Sequence, residues 1–264
     1  MTWRPRLVAT DLDGTLLGAD GTVSARTARV VAQVEAAGVP VVIVTGRPPR
    51  WLGSVAEQLD HRGIAVCANG AVIWDLHTQR IVESDLLDPA VLADVTGRLR
   101  SELPEAAFAI ELGSAFRHEP TYRVGVDVRS EVSISELAEM IGAPAVKLLV
   151  RHPTYGPDEL LAAAVTLLGD SVTATHSSHD GLLEISAAGV TKATGLASVA
   201  ASHGVDAEDV LVFGDMPNDL PMFGWAGRSV AVTNAHQAVL DAADEVTGSN
   251  AEDGVAAYLE PMFP

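Results

Sequence analysis

The chain has 264 residues, 48% hydrophobic and 20% charged, enough for one core with a second domain inserted into it and unlike a disordered segment. Its 17 Lys and Arg against 35 Asp and Glu leave a formal charge of −18 at pH 7, which repels phosphate backbones and anionic lipid and argues against nucleic acid or membrane surfaces as partners. A single cysteine, Cys67, rules out an internal disulfide and fits a reducing compartment.

Arg4 and Arg6 run into Asp11 and Asp13 before any apolar stretch long enough for a signal peptide, and no apolar run approaches the roughly 18 residues of a membrane span. A cytoplasmic location is expected. No heptad or interface patch declares an oligomeric state.

Leu7-Val8-Ala9-Thr10 reads as a buried strand delivering Asp11 at its carboxyl end. A helix is expected from the N-cap Ser24, with Val30, Val31, Val34 and Ala37 on one face, stopped by Gly38 and Pro40. Val41 to Val44 is a second central strand, a helix over Arg50 to Leu59 follows, and Ile64 to Ala68 is a third strand ending in the turn pair Asn69-Gly70. Cys67 sits inside that third strand and reads as a buried packing residue.

Beyond a hairpin of Ala71 to Trp74 and Ile81 to Val82, acidic helices interleave with alternating strands at Phe108 to Leu112, Tyr122 to Val128 and Val146 to Val150. The α/β alternation resumes with a helix from Lys192 through His203, strands at Val210 to Phe213 and Ser229 to Val232, and an amphipathic segment near Glu252 to Leu259. The expected organisation is a core built from residues 1–85 and 189–264, with an α+β domain of residues 86–188 inserted into it.

Strands ending in small or polar residues point to the carboxyl edge of a parallel sheet as the ligand site. Asp11 and Asp13, two apart where the chain leaves a strand, can hold a hard cation through oxygen, and one can attack phosphorus while the other moves a proton. A solvated Asp-Gly turn is the plain alternative. Thr45-Gly46-Arg47 offers a hydroxyl and backbone donors to phosphate oxygens, or simply an exit from a strand. Gly214-Asp215-Met216-Pro217-Asn218-Asp219 adds two carboxylates past another strand, a set that repels itself without a divalent cation, or else an acidic surface turn. Lys192, one of two lysines, stands at a helix start where an ammonium can meet a phosphate and a carboxylate.

The eight histidines lack metal-ligand spacing and are read as mostly surface or cap residues. Neither a P-loop nor a Gly-x-Ser-x-Gly elbow is present.

In this order, Asp-Leu-Asp-Gly-Thr, Thr-Gly-Arg, a lysine and Gly-Asp-x-x-Asn-Asp resemble the four motifs of the haloacid dehalogenase superfamily. The place of the insertion resembles the type IIB cap of its Cof-like sugar-phosphatase branch. The resemblance implies an α/β fold, a Rossmann-like parallel sheet core with an inserted α+β cap domain, and a phosphatase acting on a small phosphorylated metabolite. It further implies that Asp11 attacks phosphorus to give an aspartyl-phosphate while Asp13 protonates the leaving alcohol and then activates water. By the same resemblance Mg²⁺ is held by the carboxylates of Asp11 and Asp215 and the backbone carbonyl of Asp13, with Asp219 behind its waters. Thr45, Gly46, Lys192 and Asn218 are implied to bind the phosphoryl oxygens, with Asn69 and Gly70 lining the pocket.

Met216-Pro217 replaces the more polar residues often found in the fourth motif. A dehalogenase would not need Asp13. A phosphomannomutase-like phosphotransferase and a non-catalytic phosphate-binding module are the competing readings. Arg117, His118, Arg123 and His179 are the polar candidates for specificity in the inserted domain.

Overall fold

The computed structural model describes residues 3–60, 63–124, 132–177 and 181–264, and the chain divides into two compact units, Met1–Glu83 with Thr191–Pro264, and Ser84–Val190. In the first unit, β1 (Leu7–Thr10) is buried throughout, as four consecutive apolar or small residues require of a central strand. Helix α1 (Ala25–Ala36) begins where the Ser24 side chain accepts the Thr27 N–H, and it buries Val30, Val31 and Val34. Ala37, expected on that face, is instead the exposed C-cap.

Strand β2 (Val41–Val44) follows and is buried. The helix expected over Arg50 to Leu59 is split into a 3₁₀ turn, Pro49–Trp51, and α2 (Gly53–Leu59); a proline disfavours helical backbone in the residue before it, so Pro48 stays extended and the 3₁₀ turn begins at Pro49. Strands β3 (Ile64–Cys67), β4 (Val72–Asp75) and β5 (Arg80–Ser84) complete this stretch, with Cys67 fully buried.

The second unit contains α3 (Pro89–Glu102), β6 (Ala107–Glu111), β7 (Phe116–His118), β8 (Val132–Ile134), α4 (Leu137–Met140), β9 (Lys147–Arg151), α5 (Pro157–Leu168), β10 (Val172–Thr175) and β11 (Leu182–Ala187). Its sheet runs β10-β11-β9-β6-β7-β8, antiparallel except for β7 with β8. Alternate residues of β6, β9 and β11, among them Phe108, Ile110, Leu148, Val150, Leu183 and Ile185, form its core with Leu92, Leu99, Leu160 and Leu168 from α3 and α5. Residues 122–124 carry no strand, and the rest of that expected strand, with His61 and His179, lies outside the described residues. His118 and His176 are buried, contrary to a surface reading; His176 Nε2 lies 2.9 Å from an Asp158 oxygen.

The chain returns to the first unit with α6 (Lys192–Ser202), β12 (Val210–Gly214), α7 (Leu220–Trp225), β13 (Arg228–Val232), α8 (Gln237–Ala242), β14 (Glu245–Thr247) and α9 (Gly254–Leu259). The eight-stranded sheet runs β14-β13-β12-β1-β2-β3-β4-β5, and all pairs from β14 to β3 are parallel. On one face, Leu7, Ala9, Val42, Val44, Val210 and Val212 pack against Leu196 and Val199 of α6 and Met222 of α7. Burying each such aliphatic side chain is worth about 1.5–3 kcal/mol. Strand β1 lies between β2 and β12, so the chain order reverses beside it and a crevice opens at the carboxyl ends of these strands. The architecture is the α/β core with an α+β insertion that the sequence motifs imply.

Candidate active site

Four elements of the first unit meet at that crevice. Asp11 follows β1, its N–H donating to the Phe213 carbonyl of β12 at 3.0 Å, and the chain turns through Leu12–Leu16 with Gly14 at φ 82°. A Cβ on Gly14 would lie 2.2 Å from Asp215 Oδ2, so only glycine lets the two acidic segments approach this closely. The Thr15 hydroxyl donates to Asp215 Oδ1 at 2.8 Å. Asn234, which no motif singled out, donates to the Gly14 carbonyl at 2.8 Å and steadies the same turn.

Lys192 opens α6, where Thr191 and Thr194 cap each other's backbone. A cation at a helix N-terminus faces the positive end of the dipole, and burial disfavours it further. Two carboxylates offset both costs: Lys192 Nζ donates to Asp11 Oδ1 and to Asp219 Oδ1, each at 2.6 Å. Burial alone would lower the Lys192 pKa, yet attraction to Asp11 and Asp219 and these two hydrogen bonds raise it above the usual lysine value. Gly70, at φ +103°, brings the end of β3 against the start of α6; a Cβ there would meet the Thr191 carbonyl oxygen at 2.0 Å.

Asp219 is fully buried and committed on both oxygens, Oδ1 to Lys192 and Oδ2 to the N–H groups of Asp215 (2.9 Å) and Met216 (3.0 Å). Asp11, Asp215 and Asp219 each offer an oxygen within 4.8 Å of the others. Burial pushes Asp11 well above the usual carboxylate range; Lys192 opposes this and the neighbouring aspartates add to it. Burial, then repulsion by Asp219, likewise pushes Asp215 up to about 7, against the Thr15 hydrogen bond and the Lys192 charge. Hard, buried oxygen donors this close suit a divalent cation, which relieves the repulsion they carry without one.

Thr45 is buried at the end of β2; its N–H donates to the Val66 carbonyl at 2.8 Å, and its carbonyl accepts the Asn69 N–H at 3.0 Å. Asn218 Nδ2 donates to Asn69 Oδ1 at 3.0 Å, and the buried Asn69 Nδ2, a donor, and Asn218 Oδ1, an acceptor, both have no hydrogen-bond partner among the described residues. A buried donor left unmade is costly, and an anionic oxygen would satisfy it. Gly46 continues the β2 exit beside Thr45.

The structure thus gathers Asp11, Asp215, Asp219 and Lys192 into one network and joins Asn69 to Asn218. Asp13 adds its charge to that network, raising the pKa of Asp11 and Asp215, but its hydrogen bonds go to Arg47. Its half-exposed carboxylate takes a two-pronged contact from Arg47, Nε to Oδ2 at 2.7 Å and Nη2 to Oδ1 at 2.5 Å. Arg47 closes the Thr-Gly-Arg segment, a visible signal to which the sequence attached no role.

The model of the family described as haloacid dehalogenase-like hydrolase matches residues 8–259. The chain is 30% identical over 282 residues to a 5-amino-6-(5-phospho-D-ribitylamino)uracil phosphatase of Bacillus subtilis, with 100% of this chain and 99% of that protein covered. A solved haloacid dehalogenase-like hydrolase from B. subtilis is similar at 25% identity and a TM-score of 0.83, covering 97% of this chain and 99% of that one. A phosphatase of the haloalkanoate superfamily from Bacteroides thetaiotaomicron has the same fold at 24% identity and a TM-score of 0.81, over 98% and 95% of the two chains. Among the described residues, no helix is long and apolar enough to cross a membrane.

Proposed function

The chain belongs to the haloacid dehalogenase-like hydrolase family and is a phosphoric monoester hydrolase, and on that premise we propose that it cleaves small phosphate monoesters with Mg²⁺ through an aspartyl-phosphate on Asp11. The observation that carries this reading is the pairing of Asp11 with the buried Lys192 inside a cluster of three buried carboxylates.

Asp11 attacks phosphorus in line, forming the Asp11 O–P bond as the ester P–O bond breaks. Asp13 gives its proton to the departing alkoxide, then takes one from the water that attacks the same phosphorus, and the Asp11 carboxylate leaves as inorganic phosphate is released. Lys192, Thr45, Gly46 and Asn218 hold the phosphoryl oxygens, with Asn69 and Gly70 beside them; the unpartnered Asn69 Nδ2 supports an anionic occupant. Because the transition state spreads negative charge over those oxygens, fixed donors act by alignment and electrostatic stabilisation. Mg²⁺ would be held by the Asp11 and Asp215 carboxylates and the Asp13 backbone carbonyl, and when bound it supplies neutralisation of charge on the transferring group. Asp219, occupied by Lys192 and two backbone N–H groups, acts as the brace of this set.

For the substrate, the B. subtilis relative named for a phosphoribityl compound supports a polyol or sugar phosphate. The lone, buried Cys67 supports action in a reducing cytoplasm. The test is phosphate release from a panel of polyol, sugar and glycerate phosphates, with Mg²⁺ and with a chelator. Activity should require the metal, and Asp11→Asn should lose roughly a thousandfold or more. Interconversion of two sugar phosphates without phosphate release would make the protein a phosphotransferase instead, and activity kept in Asp11→Asn would refute the covalent route.

A further inference from the structure

Resting on the phosphatase reading, we infer that Arg47 is the positioning residue for proton transfer: its guanidinium aims the Asp13 carboxylate at the leaving oxygen. Asp13 has 56% of its side chain exposed and sits on the outer side of a turn, where a lone aspartate would sample several rotamers. Arg47 is only 20% exposed and is held at its own backbone, its N–H donating to Thr45 Oγ1 at 3.1 Å and its carbonyl accepting the Ala68 N–H at 2.9 Å. The planar fork meets both carboxylate oxygens, which fixes the plane of the group as well as its place; a lysine could not do this.

So exposed a pair adds little to stability. Its effect is directional: the reacting carboxylate on the turn after β1 is tied to the strand end that carries Thr45. During turnover the Asp13 proton passes to the alkoxide as the ester P–O bond breaks, and the same oxygen regains a proton from water in the second step. Arg47 neither gains nor loses a proton in either.

The dependence on the leaving group tests this role. An alkoxide must be protonated as it departs, whereas p-nitrophenolate leaves without help, so an error in aiming Asp13 slows the first step only for the alkyl ester; the water step that follows is common to both, and the readout is therefore the rate of leaving-group release in a single turnover. With Mg²⁺ present, Arg47→Ala should lower that single-turnover rate on a ribitol or glycerol phosphate by about tenfold to a hundredfold. On p-nitrophenyl phosphate the loss should be under about threefold, with KM changed less than about twofold on either ester. Arg47→Lys should fall between wild type and Arg47→Ala. In an Asp13→Asn background, Arg47→Ala should cost nothing further.

Equal losses in the single-turnover release rate on the two esters, additive losses in the double variant, or a rise in KM in place of the fall in that rate would overturn the role; the last would assign Arg47 to phosphate binding. Loss of the folded state in Arg47→Ala and Arg47→Lys alike, seen by circular dichroism, would make Arg47 structural and overturn it too. A wild-type protein inactive on every ester would instead overturn the phosphatase reading, and this role with it.

Discussion

Asp215→Asn should kill activity and yet stabilise the metal-free protein, by an amount that grows with pH. Asp215 carries a pKa of about 7 in the folded chain against 3.8 for an ordinary aspartate, through burial first and repulsion by Asp219 second. A raised folded pKa means that the folded state holds a proton that the unfolded state has released. The stability tied to that proton is fully present below 3.8 and is lost as pH rises through about 7. At 1.36 kcal/mol per pKa unit, the loss is about 2 kcal/mol at pH 5 and about 4 kcal/mol at pH 8.

Asparagine does not titrate, keeps an oxygen for the Thr15 hydroxyl and offers an N–H toward its acidic neighbours. The variant should therefore gain roughly 2–3 kcal/mol more at pH 8 than at pH 5. Urea unfolding in a chelator, followed by tryptophan fluorescence, reads the right unit, because Trp3, Trp51, Trp74 and Trp225 all lie in Met1–Glu83 and Thr191–Pro264. A gain independent of pH, or a loss of stability at pH 8, would refute the account of Asp215. By the same linkage, the proposed Mg²⁺ binding of the wild type should weaken as pH drops below about 7, since the cation would compete with the proton, and a Mg²⁺ titration across pH 5 to 8 checks it.

Lys192→Met leaves Asp11 and Asp219 buried without their shared cation, so the metal-free protein should lose about 3–5 kcal/mol of stability; Mg²⁺ should recover part of that in the same fluorescence assay but little of the activity. Gly70→Ala places a Cβ 2.0 Å from the Thr191 carbonyl at a positive φ, and should cost about 3 kcal/mol while lowering kcat through displacement of Lys192; an unchanged urea midpoint would show that α6 yields freely. Thr15→Val removes the hydroxyl that opposes the rise in the Asp215 pKa, so Mg²⁺ titrations should show weaker binding at pH 6.

Much of the core was legible because its signals are local. Four buried residues before Asp11, four before Thr45 and an apolar strand before Asp215 each declare a central strand and its end. The inserted unit was less legible: β7 and β8 have three residues each, β8 is exposed throughout, and β10 and β11 interleave polar residues (Thr173, Thr175, Glu184, Ser186) with apolar ones, so none shows a continuous apolar run. Helix α1 was read to within one residue of its observed end, whereas the segment before Leu59 was read as one helix and is two, as side-chain patterns blur at element ends.

At the site, the residue types and their order in the chain already carried the resemblance to a hydrolase family that the family model bears out, while each motif by itself also read as an ordinary turn or strand exit. Which carboxylate met which partner was decided only in three dimensions. Parallel crossovers bring Lys192 between Asp11 and Asp219, Thr15 onto Asp215 and Arg47 onto Asp13, residues distant in sequence whose pairing depends on strand register and on two glycines that allow close approach. Asp11 and Asp13 look alike as letters two apart. One is buried against Lys192 and the other exposed and held by Arg47, because desolvation and ion pairing belong to the folded surroundings and not to the residue type.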